Sequence, residues 1–302
     1  MAKINVNFEE FTPGYIMEIK TIQLSAFKTL IEALKEILKD ATLKCIPIKY
    51  DSAGEINPNS GLSIIEMNQS TSVLIRLKLP AKNFEMYNIK SEKPILIGLN
   101  MLCLYKLIKT INSDDKILTL FLEENDTNHL GIKIENGDKN TSTIYKLNIL
   151  DAPIQHLIIP KSEFDAIVTM PSTDFQKIIK DMSNICDSIN ITFVNDSSTK
   201  NKLIFSGQGD FAQQQTTLTA NNSSSNNSES DNTLLISGKY DLRNLGLFSK
   251  CSNLCQNIDL FMKKDFPLII KYEIGNLGQV FLIITHKLNS ENMNDISEID
   301  NE

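Results

Sequence analysis

Met170-Pro171-Ser172-Thr173-Asp174-Phe175-Gln176-Lys177-Ile178-Ile179-Lys180-Asp181-Met182 carries the pattern from which the fold is read. Ser172 is placed to cap a helix, and Asp174 brings a negative charge to the first turn, where the helix dipole favours it. Phe175, Ile178, Ile179 and Met182 fall at i, i+3, i+4 and i+7, the stripe of an amphipathic helix. Lys177 and Lys180, three residues apart, are neighbours on the opposite face. Such a helix buries one side and shows two cations on the other.

The same design recurs along the chain. A helix is predicted from Leu24, with Phe27, Leu30, Ile31, Leu34, Ile37 and Leu38 in register and Lys28 and Lys35 on the polar side. A second, over 101–112, buries Leu104, Leu107, Ile108 and Ile111 and leaves Lys106 and Lys109 outward. A fourth, over 241–250, turns Leu242, Leu245 and Phe248 inward and Arg243 and Lys250 outward. Strands are predicted at 43–49, 62–67, 73–79, 94–99, 116–122, 129–135 and 142–149. After a connector they resume at 164–169, 188–194, 202–206, 233–238, 257–263, 267–274 and 279–285, with 211–220 extended. Helix, strands, helix, strands, and then the same again, is an internal repeat.

The fold class is therefore α+β: two similar lobes, each packing two helices on antiparallel sheet. The expected organisation is an N-terminal extension over 1–15, a first lobe over 16–150, a connecting loop over 151–162, a second lobe over 163–288 and an acidic, disordered tail over 289–302. The 51–61 loop is rich in Gly, Asn, Pro and Ser. The Asn/Ser run over 221–232 has little apolar surface to bury and is expected to be a mobile loop.

At 302 residues, 41% hydrophobic and 22% charged, the composition is that of a soluble globular protein with a sizeable core. No apolar run approaches the roughly 18 residues that span a bilayer, and the first twenty residues lack a signal-peptide core, so no membrane association and an intracellular location are expected. Five cysteines without tight spacing fit a reducing compartment. The formal net charge of −7 excludes a surface that is basic throughout, but not one basic face, because local potential governs such contacts.

Gly207-x-Gly209-x-x-Ala212 imitates a dinucleotide fingerprint, but the Gln213–Thr217 stretch after it opens no helix and no βαβ unit surrounds it. Cys251-x-x-x-Cys255 has no second pair or nearby histidine for zinc, and His129, His156 and His286 are scattered. No nucleophile-and-base order or phosphate loop is present, so the chain is expected to have no catalytic residues, no metal and no cofactor.

Five collinear segments resemble the proliferating cell nuclear antigen family of DNA sliding clamps. They are Leu30–Glu36, Leu96–Asn100, Met170-Pro171-Ser172 with its helix, Phe205-Ser206-Gly207, and Asp265–Ile274 followed by Leu277-Gly278. The resemblance implies a ring of three two-lobed subunits with helices around duplex DNA. It implies DNA contacts by Lys28, Lys35, Lys106, Lys109, Lys177, Lys180, Arg243 and Lys250. It also implies a hydrophobic pocket for partner peptides at Met67, Leu157, Ile159, Pro160, Pro267, Ile283 and Ile284. Two departures, Thr285-His286 in place of Ala-Pro and a polar Thr71-Ser72, alter the peptide preference expected there. Subunits would join through edge strands 141–148 and 213–220, with Thr143, Tyr145, Gln215 and Thr217 at the contact.

The implied function is that of a non-enzymatic processivity factor that tethers DNA polymerase and other replication or repair enzymes to double-stranded DNA, read without regard to sequence. Its implied partners are that DNA, those enzymes, an ATP-driven clamp loader and two further copies of the chain. The location would be the nucleus or a viral replication compartment. A subunit of a heterotrimeric checkpoint-type clamp, and an enzyme that reuses the fold, are the alternative readings.

Overall fold

The computed structural model describes residues 12–137, 139–151, 163–195, 201–219, 223–225, 234–247 and 252–286. In chain order the elements begin β1 (Tyr15–Thr21), α1 (Leu24–Leu34), β2 (Asp40–Ile46), β3 (Gly61–Met67), β4 (Val73–Pro80), β5 (Met86–Ile89), β6 (Ile95–Asn100) and α2 (Met101–Ile108). Next come β7 (Ile117–Glu123), β8 (Asp126–Asn136), β9 (Thr141–Asn148), β10 (Ala166–Pro171), α3 (Ser172–Ser183), β11 (Ser188–Asn195), β12 (Lys202–Gln208) and β13 (Gln213–Thr219). The last are β14 (Ser223–Ser225), β15 (Leu234–Asp241), α4 (Leu242–Leu247), β16 (Asn257–Met262), β17 (Leu268–Ile274) and β18 (Gly278–Ile284). The chain divides into two compact units: Met1–Pro160 with Asn253–Cys255 and Tyr272–Phe281, and Lys161–Ser252 with Gln256–Lys271 and Leu282–Glu302.

In the first unit, β5-β1-β7-β8-β9 form one antiparallel sheet, and β6-β2-β3-β4 follow one another in a second. Phe27, Leu30 and Ile31 of α1 and Met101 and Leu104 of α2 meet Leu43, Leu62, Ile64, Leu77 and Leu79 from one sheet and Leu120 and Leu130 from the other. The helices thus share one core with both sheets. The void left among these side chains is only about 20 Å³, too small to weaken the packing appreciably.

The second unit repeats the plan. Strands β13-β12-β11-β15 form an antiparallel sheet, and β10 lies between β14 and β16. Phe175, Ile178, Ile179 and Met182 of α3 and Leu242 and Leu245 of α4 are buried, as the 3.6-residue period requires. Phe175 meets Phe205 of β12 edge-on, at 6.3 Å between centroids and 63°.

Several sequence expectations change in detail. Ser172 is not a cap: the Ncap residue is Pro171, without a side-chain bond, and Ser172 begins the helix, buried. Its hydroxyl points toward the carbonyls of Ser252 and Gln256 at 3.2 and 3.1 Å, so it fastens α3 to a neighbouring segment. Helix α1 ends at Leu34, and Ile37 and Leu38 are buried from the turn that follows. Helix α2 ends at Ile108, and of the fourth predicted helix residues 242–247 are helical, while Phe248 and Lys250 lie outside the described residues.

Strands β1 and β5 are additions to the predicted set. Within the Asn/Ser run expected to be a loop, Ser223–Ser225 pairs with β10 as β14. The 51–61 loop is held from within: Asp51 Oδ1 accepts from the amides of Ala53 and Glu55 at 2.9 Å each, and the backbones of Tyr50 and Ile56 form an isolated β-bridge.

The two glycines of the imitation fingerprint are explained by packing. A Cβ on Gly207 would stand 2.4 Å from Cys186 Sγ, and one on Gly209 would stand 1.8 Å from the Ile185 carbonyl. Gly209→Ala must push backbone against backbone, and a loss of about 2 kcal/mol or more is expected. Urea unfolding of the variant, at unchanged slope, measures it.

Candidate nucleic-acid interface

The helix faces opposite the core carry the cations. In the first unit α1 and α2 are neighbours, and three side-chain links join them. Lys28 Nζ donates to the Ile111 carbonyl at 2.8 Å, beyond the C-terminal end of α2, where a positive charge offsets the helix dipole. Tyr105 of α2 donates its hydroxyl to Glu32 of α1 at 3.2 Å. Lys35 lies over the Tyr105 ring, 4.4 Å from its centroid, while its ammonium is paired with Glu36. That hydrogen bond with Glu36 raises the Lys35 pKa above the ordinary lysine value, against the opposing effect of desolvation.

Lys106 and Lys109 are exposed on and just past α2, and among the described residues no side chain pairs with either. Asn100 caps this helix, accepting from the Cys103 amide at 3.0 Å. In the second unit Lys177 and Lys180 are likewise exposed on α3, with no partner side chain among the described residues. Helix α3 is braced from below by Ser252, whose hydroxyl donates to Gln176 at 2.9 Å. Arg243, at the start of α4, is 83% exposed at its side chain but is clamped by Asp241 through Nη2 at 2.9 Å. The Asp241 hydrogen bonds raise its pKa further.

The structure therefore sorts the predicted cations. Lys28, Lys35 and Arg243 are held by partners within the chain, and Lys106, Lys109, Lys177 and Lys180 extend into solvent. Tyr105 and Glu32, which organise the α1–α2 face, were not singled out from sequence. The signal for them is weak: each is one polar position on a helix whose apolar stripe dominates the pattern.

Of the pocket residues, Leu157, Ile159 and Pro160 lie outside the described residues. Met67 ends β3 and is half-buried; Pro267 and Ile283 are half-buried before β17 and on β18. Ile284 is a correction. It is fully buried, because alternation along β18 turns it into the core while Ile283 faces outward. The polar Thr71-Ser72 turn is self-satisfied, with Asn68 Oδ1 accepting from the Ser72 and Val73 amides at 3.0 Å each. His286 donates from Nε2 to the Phe266 carbonyl at 2.7 Å and packs beside Tyr240 at 5.0 Å.

Thr143 and Tyr145 lie on β9, the last strand of its sheet, and Gln215 and Thr217 on β13, the last strand of another. Neither outer edge is hydrogen-bonded to a further strand among the described residues. Among those residues no three His, Cys, Asp or Glu side chains are grouped to hold a metal, and no helix is long and apolar enough to cross a membrane.

Two α+β units, each laying a pair of helices against antiparallel sheet with cations on the outward helix faces, define the DNA clamp fold. Residues 16–156 match the model of the proliferating cell nuclear antigen N-terminal domain, and 158–287 that of the C-terminal domain. The chain belongs to the proliferating cell nuclear antigen family. A protein of Paramecium bursaria Chlorella virus 1, described as a probable DNA polymerase sliding clamp 1, is 30% identical over 89% of this chain and 96% of its own length. One of Acanthamoeba polyphaga mimivirus, a probable DNA polymerase sliding clamp, is 29% identical over 89% of this chain, which spans 62% of that relative. The crystal structure of the proliferating cellular nuclear antigen from Entamoeba histolytica shares the fold at a TM-score of 0.75 and 24% identity, over 91% of this chain and all of that one.

The Lys28 contact gives a stability prediction. Lys28→Ala removes the charge that satisfies the end of α2 and is expected to cost about 1 kcal/mol. Lys106→Ala should stay within about 0.5 kcal/mol of the parent. Chemical denaturation of both variants separates the held lysine from the free one.

Proposed function

We propose that this chain is a DNA sliding clamp and polymerase processivity factor. The observation that carries the reading is the set of exposed lysines on α2 and α3 and at the end of α2, without a partner side chain among the described residues, in a member of a clamp family whose net charge is −7. Cations concentrated on helix faces within an acidic molecule attract phosphate where the helices are and repel it elsewhere. Lysine meets a phosphate as a point charge, without reading a base, so the contact is loose, independent of sequence and sensitive to salt. Those are the requirements for sliding.

In this reading residues 16–150 and 163–288 are the two lobes, joined by a connecting loop over 151–162. Three copies close a ring by pairing the β9 edge of one with the β13 edge of the next, through Thr143 and Tyr145 on one side and Gln215 and Thr217 on the other. A heterologous contact of this kind generates a ring when its rotation closes. The ring does no chemistry. It holds a polymerase or another replication or repair enzyme at high effective concentration on the duplex, and an ATP-driven loader opens it. Partner peptides dock on outward apolar side chains that include Pro267 and Ile283. The setting is a nucleus or a viral replication compartment.

Sedimentation with and without closed circular DNA tests the ring: a mass near three times 34.0 kDa, retained on circles and lost from linear DNA, is expected. A monomer at all concentrations, or equal retention on linear DNA, overturns it. For the lysines, each change of Lys106, Lys109, Lys177 or Lys180 to Ala is expected to reduce the salt slope of DNA binding by up to about one. Changing all four to Glu should abolish retention while leaving the mass unchanged; retention at the parent level would show that these residues do not face the DNA.

A further inference from the structure

The free sheet edges are not alike. In the five-stranded sheet the terminal strands are β5 and β9, and in the four-stranded sheet they are β13 and β15. Strand β5 is only four residues long and lies between Glu85 and Lys90, while β15 carries an exposed Lys239. Short length and charge are the usual protections of an edge. Strand β13, Gln213–Thr219, carries no charge at all. The single charge on β9, Lys146, is paired to Glu123 and Asp126 at 2.7 and 3.0 Å. These two edges are open to pairing.

An edge of Gln, Thr and Ser has a weakness: its side chains form hydrogen bonds nearly as well one pair of residues further along, so the register is poorly determined. Each edge nevertheless holds one large apolar residue in water. Ile144 on β9 is 55% exposed, and Phe211, in the turn that leads into β13, is 78% exposed. The turn itself is closed by the Gly209 amide donating to the Ala212 carbonyl at 2.9 Å, which holds Phe211 outward rather than folding it under its own sheet.

We propose that Phe211 of one copy packs on Ile144 of the next, and that this apolar pair sets the register in which β13 joins β9. The inference rests on the ring reading above and adds the residues that choose among neutral pairings. With Gln213 placed antiparallel to Ile144, Phe211 falls on the diagonal to Ile144 on the same face, within reach of an aromatic ring. The partner is a second copy of this chain because the two edges are complementary in kind: each is long, effectively neutral and polar, with one apolar side chain that its own unit leaves uncovered.

Sedimentation equilibrium over a dilution series tests this, on the parent chain, Phe211→Ser, Ile144→Ser and the double variant. Each single change is expected to weaken assembly by about tenfold or more, and the double variant to be no more than about threefold worse than the weaker single, as for residues that share one contact. Phe211→Leu, which keeps the apolar surface, should restore most of the assembly. Parent-like assembly in either Ser variant, or independent losses that multiply in the double, overturns the pair while the ring stands. A parent chain that is monomeric throughout overturns the ring itself. Parent-like mass with lost polymerase binding would assign Phe211 to an enzyme contact instead.

Discussion

The burial of one face of each helix against sheet is the interaction on which the rest of the molecule depends. A helix whose apolar stripe is committed to a core cannot rotate without exposing several large side chains. Each such side chain is worth about 1.5–3 kcal/mol when buried. In α3 the stripe is Phe175, Ile178, Ile179 and Met182, all buried. Once those are fixed, Lys177 and Lys180 have nowhere to go but outward. Packing and charge display are therefore one constraint, and the position of the cations follows from the hydrophobic period rather than from any interaction of their own.

That coupling explains what was legible in the sequence. The helices announce themselves because their apolar and charged positions share a 3.6-residue period, and most strands because they alternate, as β4 does from Val73 to Pro80. Strand β1 was missed because Glu18 breaks its apolar run, yet Glu18 is buried and accepts from the Thr12 amide and hydroxyl at 3.1 and 3.0 Å. Strand β14 was missed for the opposite reason. A run of three serines carries no apolar alternation, and its place comes from a backbone ladder with β10, which side-chain pattern cannot reveal.

Roles set by single long-range contacts were illegible in the same way. Nothing local distinguishes Lys28, whose partner carbonyl is 83 residues away, from Lys106, which has none among the described residues. Ser172 looks like a cap in sequence, but its hydroxyl points to carbonyls 80 and 84 residues distant. The pattern identifies which residues are outward-facing cations or hydroxyls. Only the tertiary structure shows which of them are already occupied.

The occupied and the free polar groups also separate two kinds of association. The lysines without a partner among the described residues offer long-range, salt-screened attraction, of the kind that in the proposed ring holds a polyanion without fixing its position. The β9 and β13 edges offer a backbone ladder and neutral side chains, whose strength depends on alignment and scarcely on ionic strength. An unprotected edge is ordinarily a hazard, because it templates pairing with any exposed strand. A heterologous pairing that closes on itself removes that hazard by covering every such edge. In the proposed ring, then, the same lack of charge that leaves these edges vulnerable in a single copy keeps assembly independent of the salt-sensitive contact with DNA.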